Sequence, residues 1–243
     1  NPKGQTFDWS AQLIEAFEEI DEVEEDTSHI PYYGETWFPN MAYGWQQQPT
    51  QDNIIFRNAT VWTNEDVGII DQADVAISQG KIVKVGVSID TQEIFKKENF
   101  QEIDAKGMHL TSGIIDEHSH IAISRGVNEG SQASSAEVSI ANVINSDDIN
   151  IYRQLSGGVT TAQLLHGSAN PIGGQSAIIK FRWGSSPDQM KFEGADGFIK
   201  FALGENVKQS NWGDYERIRF PQTRMGVELS LIHISEPTRQ SSI

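Results

Sequence analysis

The sequence predicts an α/β protein in which a small antiparallel β unit precedes a domain of parallel strands. Two observations carry this. From Asn53 to about residue 112 the apolar residues recur with period two, in IIFRNATVW and in ADVAISQGKIVKVG. After Ser112, strand-like runs alternate with a helical run or long loops, the pattern of a parallel sheet built from β–α–β units. Residues 53–112 and 113–228 therefore read as separate domains, behind a separate 1–52 extension.

Composition narrows the function classes. The chain has 243 residues, 18 Lys and Arg against 34 Asp and Glu, a formal charge of −16 and no cysteine. Without Cys there is no disulfide scaffold, thiolate zinc site, iron–sulfur cluster or thiol nucleophile. The acidic balance argues against a nucleic-acid or anionic-membrane partner, since both need clustered Lys and Arg. No apolar run approaches the ~20 residues of a membrane span. A small-molecule substrate is the partner class that remains, with oligomerisation left open. The compartment, periplasmic or cytoplasmic, is not fixed by any residue.

The elements follow in order. Residues 7–26 carry Leu13, Ile14, Phe17, Ile20 and Val23 on one helical face and mostly Glu and Asp on the other, a solvated acidic helix. Residues 27–52 contain Pro31, Pro39, Pro49 and several aromatics and read as an extended connector that packs its aromatics locally. Gln79-Gly80 marks a hairpin turn, because Gly reaches positive φ without steric cost. Asn58-Ala59-Thr60 matches a glycosylation acceptor inside a predicted strand. GIIDEHSHI reads as a buried strand with a polar far end. Ser146-Asp147-Asp148 opens a helix, DINIYRQLS, with Ser at the N-cap, and Gly157-Gly158 closes it. VTTAQLL, SAIIKFR and GFIKFAL supply three more strands, making four parallel strands between Gly113 and Leu203.

The chemistry concentrates in Asp116-Glu117-His118-Ser119-His120. On a strand, alternate residues share a face, so Asp116, His118 and His120 point one way. The two histidine Cα atoms stand ~6.6 Å apart at ~3.3 Å per residue. Imidazoles so spaced converge on one cation with Zn–N near ~2.1 Å, and neutral imidazole suits Zn, Fe, Ni or Mn. The plainer alternative is two polar residues at a strand end without a metal. Lys200 sits between Phe198-Ile199 and Phe201-Ala202, where a charged lysine is costly unless paired or neutralised. It either joins a ligand set, faces solvent on an alternating strand, or pairs with an acid such as Glu205. His166, in LLHGSANPIGGQ, ends a strand and is placed for substrate contact; satisfaction by loop backbone is the alternative. Gly173-Gly174 offers a weak anion-binding turn. His29 and His109 lack strand-end context and read as structural.

LTSGIIDEHSHI, preceded by the small β unit, resembles the amidohydrolase superfamily of metal-dependent hydrolases. The resemblance implies a β-sandwich joined to a (β/α)8 TIM-like barrel, so the fold expected is a small antiparallel β-sandwich segment followed by about the first four strands of a truncated barrel. His118 and His120 match the His-x-His that ends the first barrel strand. GGVTTAQLL resembles the second strand of the imidazolonepropionase- and prolidase-like branch. EGADGFIKFA resembles the fourth, whose lysine, here Lys200, is carboxylated by CO2 and bridges two metals. The implied cofactor is one or two divalent ions, zinc above all. The implied activity is hydrolysis of amide, cyclic amide or dipeptide C–N bonds by metal-activated water. The family's remaining ligands are two histidines, and its catalytic residue is an aspartate; all three come from later strands that find no match before Glu228. A non-catalytic binding module on a degenerate barrel is the alternative. A surface- or carbohydrate-binding role for the aromatic stretch Trp37 to Trp45 is a third.

Residues 229–243, LSLIHISEPTRQSSI, resemble a translated library adapter from Leu229 to Arg239. They are expected to be an artefact, His233 to be no ligand, and the chain to be an N-terminal fragment that is inactive alone.

Overall fold

The computed structural model describes Ser10, Gln12, residues 34–208 and residues 219–235. The acidic helix expected at 7–26, His29 and the last eight residues lie outside the described residues. The chain divides into two compact units, Asn1–Glu35 and Thr36–Ile243. Every helix and strand among the described residues belongs to the second.

The first sheet is formed by β1 (Ile54–Trp62), β2 (Ile69–Ser78), β3 (Lys81–Gly86), β4 (Gln101–Asp104) and β5 (His109–Leu110). Its order is β3-β2-β1-β4, with β5 also on β1. The β2–β3 turn is Gln79-Gly80, with φ of 49° and 71°, so both central residues are left-handed as a tight hairpin requires. A bulge interrupts β1 at Arg57-Asn58, where the pairing slips between Phe56 and Ala59 and Asn58 takes φ 60°. The slip moves the inward face from even to odd positions. Phe56, Ala59 and Val61 thereby share one core with Ala73, Val75 and Ala105. On the opposite face Ile55, Ala76, Ile89 and Phe95 pack together beneath α1 (Thr91–Phe95), whose N-cap Asp90 accepts from the Gln92 amide.

This sheet corrects the expectation of a purely antiparallel sandwich segment. β4 and β5 run parallel to β1, because α1 carries the chain back across the sheet before β4 begins. Among the described residues it is a single mixed sheet. Its other side carries an apolar cleft of about 520 Å³ lined by Trp62, Val67, Ile82 and Val85 among others, where a sandwich has its second sheet.

The second region holds β6 (Ile114–Ser119), β7 (Val159–Leu164) and β9 (Ala177–Lys180) in the order β6-β7-β9, with β8 (Ile172–Gln175) paired to β10 (Ile199–Phe201). β6 and β7 are parallel and are linked through α2 (Ile149–Ser156). The N-cap of α2 is Asp148, not Ser146. One carboxylate oxygen of Asp148 accepts from the Asn150 amide (2.9 Å) and the other from the Ala122 amide (2.7 Å), so a single side chain caps the helix and anchors the loop after β6. Gly157 closes α2 as expected. The core beneath gathers Ala122, Ile140, Ile144, Ile151, Leu164, Ile179, Trp183 and Met190.

Four parallel strands were expected here, and two are found. β9 is antiparallel to β7 and β10 to β8. No helix intervenes between Leu164 and Ala177, and without a crossover element the chain returns in the opposite direction. β6 is also not buried along its length. Ile114 and Ile115 are 58% and 70% exposed, because β7 pairs with one edge of the strand and nothing described covers these side chains.

Residues 36–52 form no regular element beyond the Phe38–Trp45 bridge. Tyr43 stacks on Tyr152 with ring centroids 4.7 Å apart, and Trp183 Nε1 donates to the Tyr43 carbonyl (2.8 Å). The short α3 (Pro187–Met190) is closed by a Ser186–Gln189 capping box. The last helix, α4 (Arg224–Ser235), crosses the Glu228–Leu229 boundary and joins Val227 and Leu231 to Ala202 and Val207. Leu229, Leu231 and Ile232 tolerate helix whatever their origin. Among the described residues no helix is long and apolar enough to cross a membrane.

Candidate metal centre

His118 lies near the end of β6 and His120 directly after it. The β6–β7 pairing is irregular between Asp116 and Ser119, where a slip re-aims side chains at a strand end. Asp116 Oδ1 accepts from the His118 amide (3.1 Å) and ties that backbone down. The two imidazoles meet edge to face, with centroids 5.2 Å apart and planes at 88°.

Lys200 arrives from β10, and its Nζ stands 3.4 Å from His118 Nε2. The sequence reasoning had Lys200 in an apolar, buried strand. In the fold its neighbours Ile199 and Phe201 are exposed while Lys200 is half-buried, so on this two-residue period the lysine takes the inward side. Glu205, the alternative partner, binds Lys208 and Arg224 instead.

The protonation pattern suits cation binding. His120 Nδ1 is 2.9 Å from the Leu165 carbonyl. A carbonyl only accepts, so Nδ1 carries the proton and Nε2 keeps its lone pair. Desolvation, then the positive Lys200 and the neighbouring His120, hold the His118 imidazole below its ordinary pKa, against the opposing pull of Asp116 and Glu117. His118 thus favours the neutral form that ligates metals. Among the described residues no cluster of three or more His, Asp or Glu side chains suited to a metal ion is found; the gathered groups are two imidazoles and one amine.

His166 is placed differently. It is 2% exposed, its Nε2 accepts from the Glu129 amide (2.8 Å) and its Nδ1 contacts the Gly167 carbonyl (2.8 Å). Neither nitrogen is left for a substrate. Gly173 and Gly174 pack against this ring and do not form an anion-binding turn. His109 accepts from Trp62 Nε1 (3.0 Å), a structural role. Sequence reasoning missed Leu165, whose carbonyl orients His120, and the buried Ser135 and Asn170. A backbone acceptor leaves no mark in residue type. The small residues of HGSANPIGG were the available signal for tight burial.

The site thus gathers paired imidazoles at the end of a parallel strand with a lysine drawn in from a separate sheet. The chain belongs to the amidohydrolase superfamily. It is 32% identical over 204 residues to Amidohydrolase tasK of Hapsidospora irregularis, covering 71% of this chain and 20% of that protein. It is 43% identical over 60 residues to an imidazolonepropionase of Colwellia psychrerythraea, covering 24% of this chain and 14% of that protein. The solved structure of an amidohydrolase from Thermotoga maritima MSB8 superposes with a TM-score of 0.64 at 31% identity, over 77% of this chain and 48% of that one. No family model matches. The chain therefore spans a fifth or less of the two curated relatives and about half of the Thermotoga structure.

Proposed function

We propose that the chain carries the first part of the active site of a metal-dependent hydrolase acting on amide, cyclic amide or dipeptide C–N bonds. The observation that supports this is the meeting of His118, His120 and Lys200 at the end of β6. A divalent cation, with zinc the simplest choice for imidazole ligands, would supply Lewis acidity toward the scissile carbonyl and lower the pKa of a water.

The chain's own residues do the rest. His118 and His120 offer Nε2 lone pairs. The Leu165 carbonyl holds the His120 tautomer, and Asp116 fixes the His118 backbone. Lys200 in its neutral form adds its amine to CO2: an N–C bond forms, one proton is released to solvent, and the resulting carbamate is an anionic oxygen donor. That carbamate would stand beside His118 as a third ligand. No general base is assigned. With three donors and two solvent-exposed histidines, the chain is inactive by itself.

The test is metal-dependent hydrolysis of acyl-dipeptides and lactams by residues 1–228, against a His118→Ala control. No turnover above the control is expected; turnover above it would refute the inactivity. Activity of a longer parent protein that vanishes with His118→Ala is the matching positive result.

A further inference from the structure

We propose that His166 is a positioning residue for His120, acting through the carbonyl of Leu165 and not on substrate. The inference rests on reading His120 as a cation ligand. Leu165 joins the two strand ends: its amide donates to the Ser119 carbonyl (3.0 Å) and its carbonyl accepts from His120 Nδ1 (2.9 Å). The Leu165 carbonyl shares a rigid peptide plane with the His166 nitrogen, so its direction is set by ψ of Leu165 and φ of His166, and a fixed His166 constrains the second.

His166 is held on every side. The Glu129 amide donates to Nε2, which fixes the proton on Nδ1, and Nδ1 donates to the Gly167 carbonyl. A Cβ on Gly173 would stand 2.8 Å from Nδ1, and one on Gly174 3.2 Å from Cδ2, so these two glycines let the backbone close over the ring. The surrounding loops are stitched twice more. The buried Asn170 donates to the Glu129 carbonyl and to Ser135 Oγ, both at 2.6 Å. Arg219 donates to the carbonyls of Gly130 (2.7 Å) and Ala169 (3.0 Å). HGSANPIGG is thus a buried clamp. Its output is one fixed carbonyl, and that carbonyl keeps the proton of His120 on Nδ1 and the lone pair on Nε2. Outer partners of this kind are typically worth ~10–100-fold in metal affinity.

Two readouts test this on the full 243-residue chain. Long-range ¹H–¹⁵N correlation reports the His120 tautomer without metal, and absorption titration reports Co(II) affinity. The variants are His166→Phe, His166→Gln and Gly173→Ala, each checked for folding by circular dichroism. Wild type is expected to show a single Nδ1–H tautomer at His120. His166→Phe and Gly173→Ala give a tautomer mixture and about a tenfold weaker Co(II) affinity. His166→Gln, which keeps an acceptor for the Glu129 amide, recovers part of both. A folded His166→Phe or Gly173→Ala chain with wild-type tautomer and wild-type affinity overturns the proposal. The two readings separate cleanly. If wild type binds no Co(II) yet its His120 tautomer responds to His166, the cation site fails and the positioning role stands. If Co(II) binding is strong, is lost in His118→Ala and ignores His166, the positioning role alone fails.

Discussion

The two regions of the fold differ in what they bury and what they leave open. In the β1–β5 sheet the central strand buries Ile55 completely on one face and Ala59 on the other. A charged pair is built into the same wall. Asp74 is 3% exposed and accepts from Arg57 (2.7 Å) and from the amides of Asn58 (3.1 Å) and Ile89 (2.9 Å). In the β6–β10 region the strand bearing His118 leaves Ile114 and Ile115 in solvent. The difference separates stability from chemistry. The first region holds a satisfied ion pair in its wall yet leaves the apolar cleft on its other side open, whereas the second carries the two imidazoles and leaves the start of their strand exposed.

Substitutions can break or sharpen that contrast. The largest effect falls on the site: His118→Ala should abolish specific Zn(II) or Co(II) binding, a loss of at least ~100-fold, with little change in unfolding. Asp74→Asn should do the reverse. It removes the charge partner at 2.7 Å while Arg57 keeps Glu102 (3.1 Å) and the Ile89 carbonyl (2.8 Å), and should cost about 2 kcal/mol, read by urea unfolding, with metal affinity unchanged. Burial pushes the Asp74 carboxyl up, but the Arg57 guanidinium and the two amides outweigh it, so its folded pKa lies below the ordinary value. Its contribution is therefore complete above the unfolded value of ~3.9 and is lost as pH falls through the lower folded value. The stability gap between wild type and Asp74→Asn should accordingly shrink only under acid, which pH-dependent unfolding will show.

Smaller effects follow. Trp183→Phe removes the bond to the Tyr43 carbonyl and some buried volume, and should cost about 2 kcal/mol. It should also weaken the Tyr43–Tyr152 stack, visible in near-ultraviolet circular dichroism. Gln79→Asn places a residue tolerant of positive φ at a position already at 49°. It should stabilise the first sheet by about 0.5 kcal/mol and leave the site untouched.

The same contrast explains what could be read from sequence. The β2–β3 hairpin was legible because alternation and Gln79-Gly80 are local signals. The end of α2 at Gly157 was legible for the same reason, while its start shifted two residues because Asp148 also serves the Ala122 amide, a tertiary contact. Strand direction was not legible: VTTAQLL and SAIIKFR have the same pattern whether they run parallel or antiparallel. Lys200 was singled out for its apolar neighbours, yet it turns inward through pairing of β10 with β8, while those neighbours face out. His166 was chosen by its place at a strand end; the Glu129 and Gly167 groups that occupy its nitrogens come from a loop and a backbone carbonyl.

The most direct test of the cation site is calorimetric titration of the chain with Zn(II), in parallel with the His118→Ala/His120→Ala double variant. At least one stoichiometric ion bound by wild type and none bound specifically by the variant is the result predicted. Equal binding by both, or none by wild type, would contradict it.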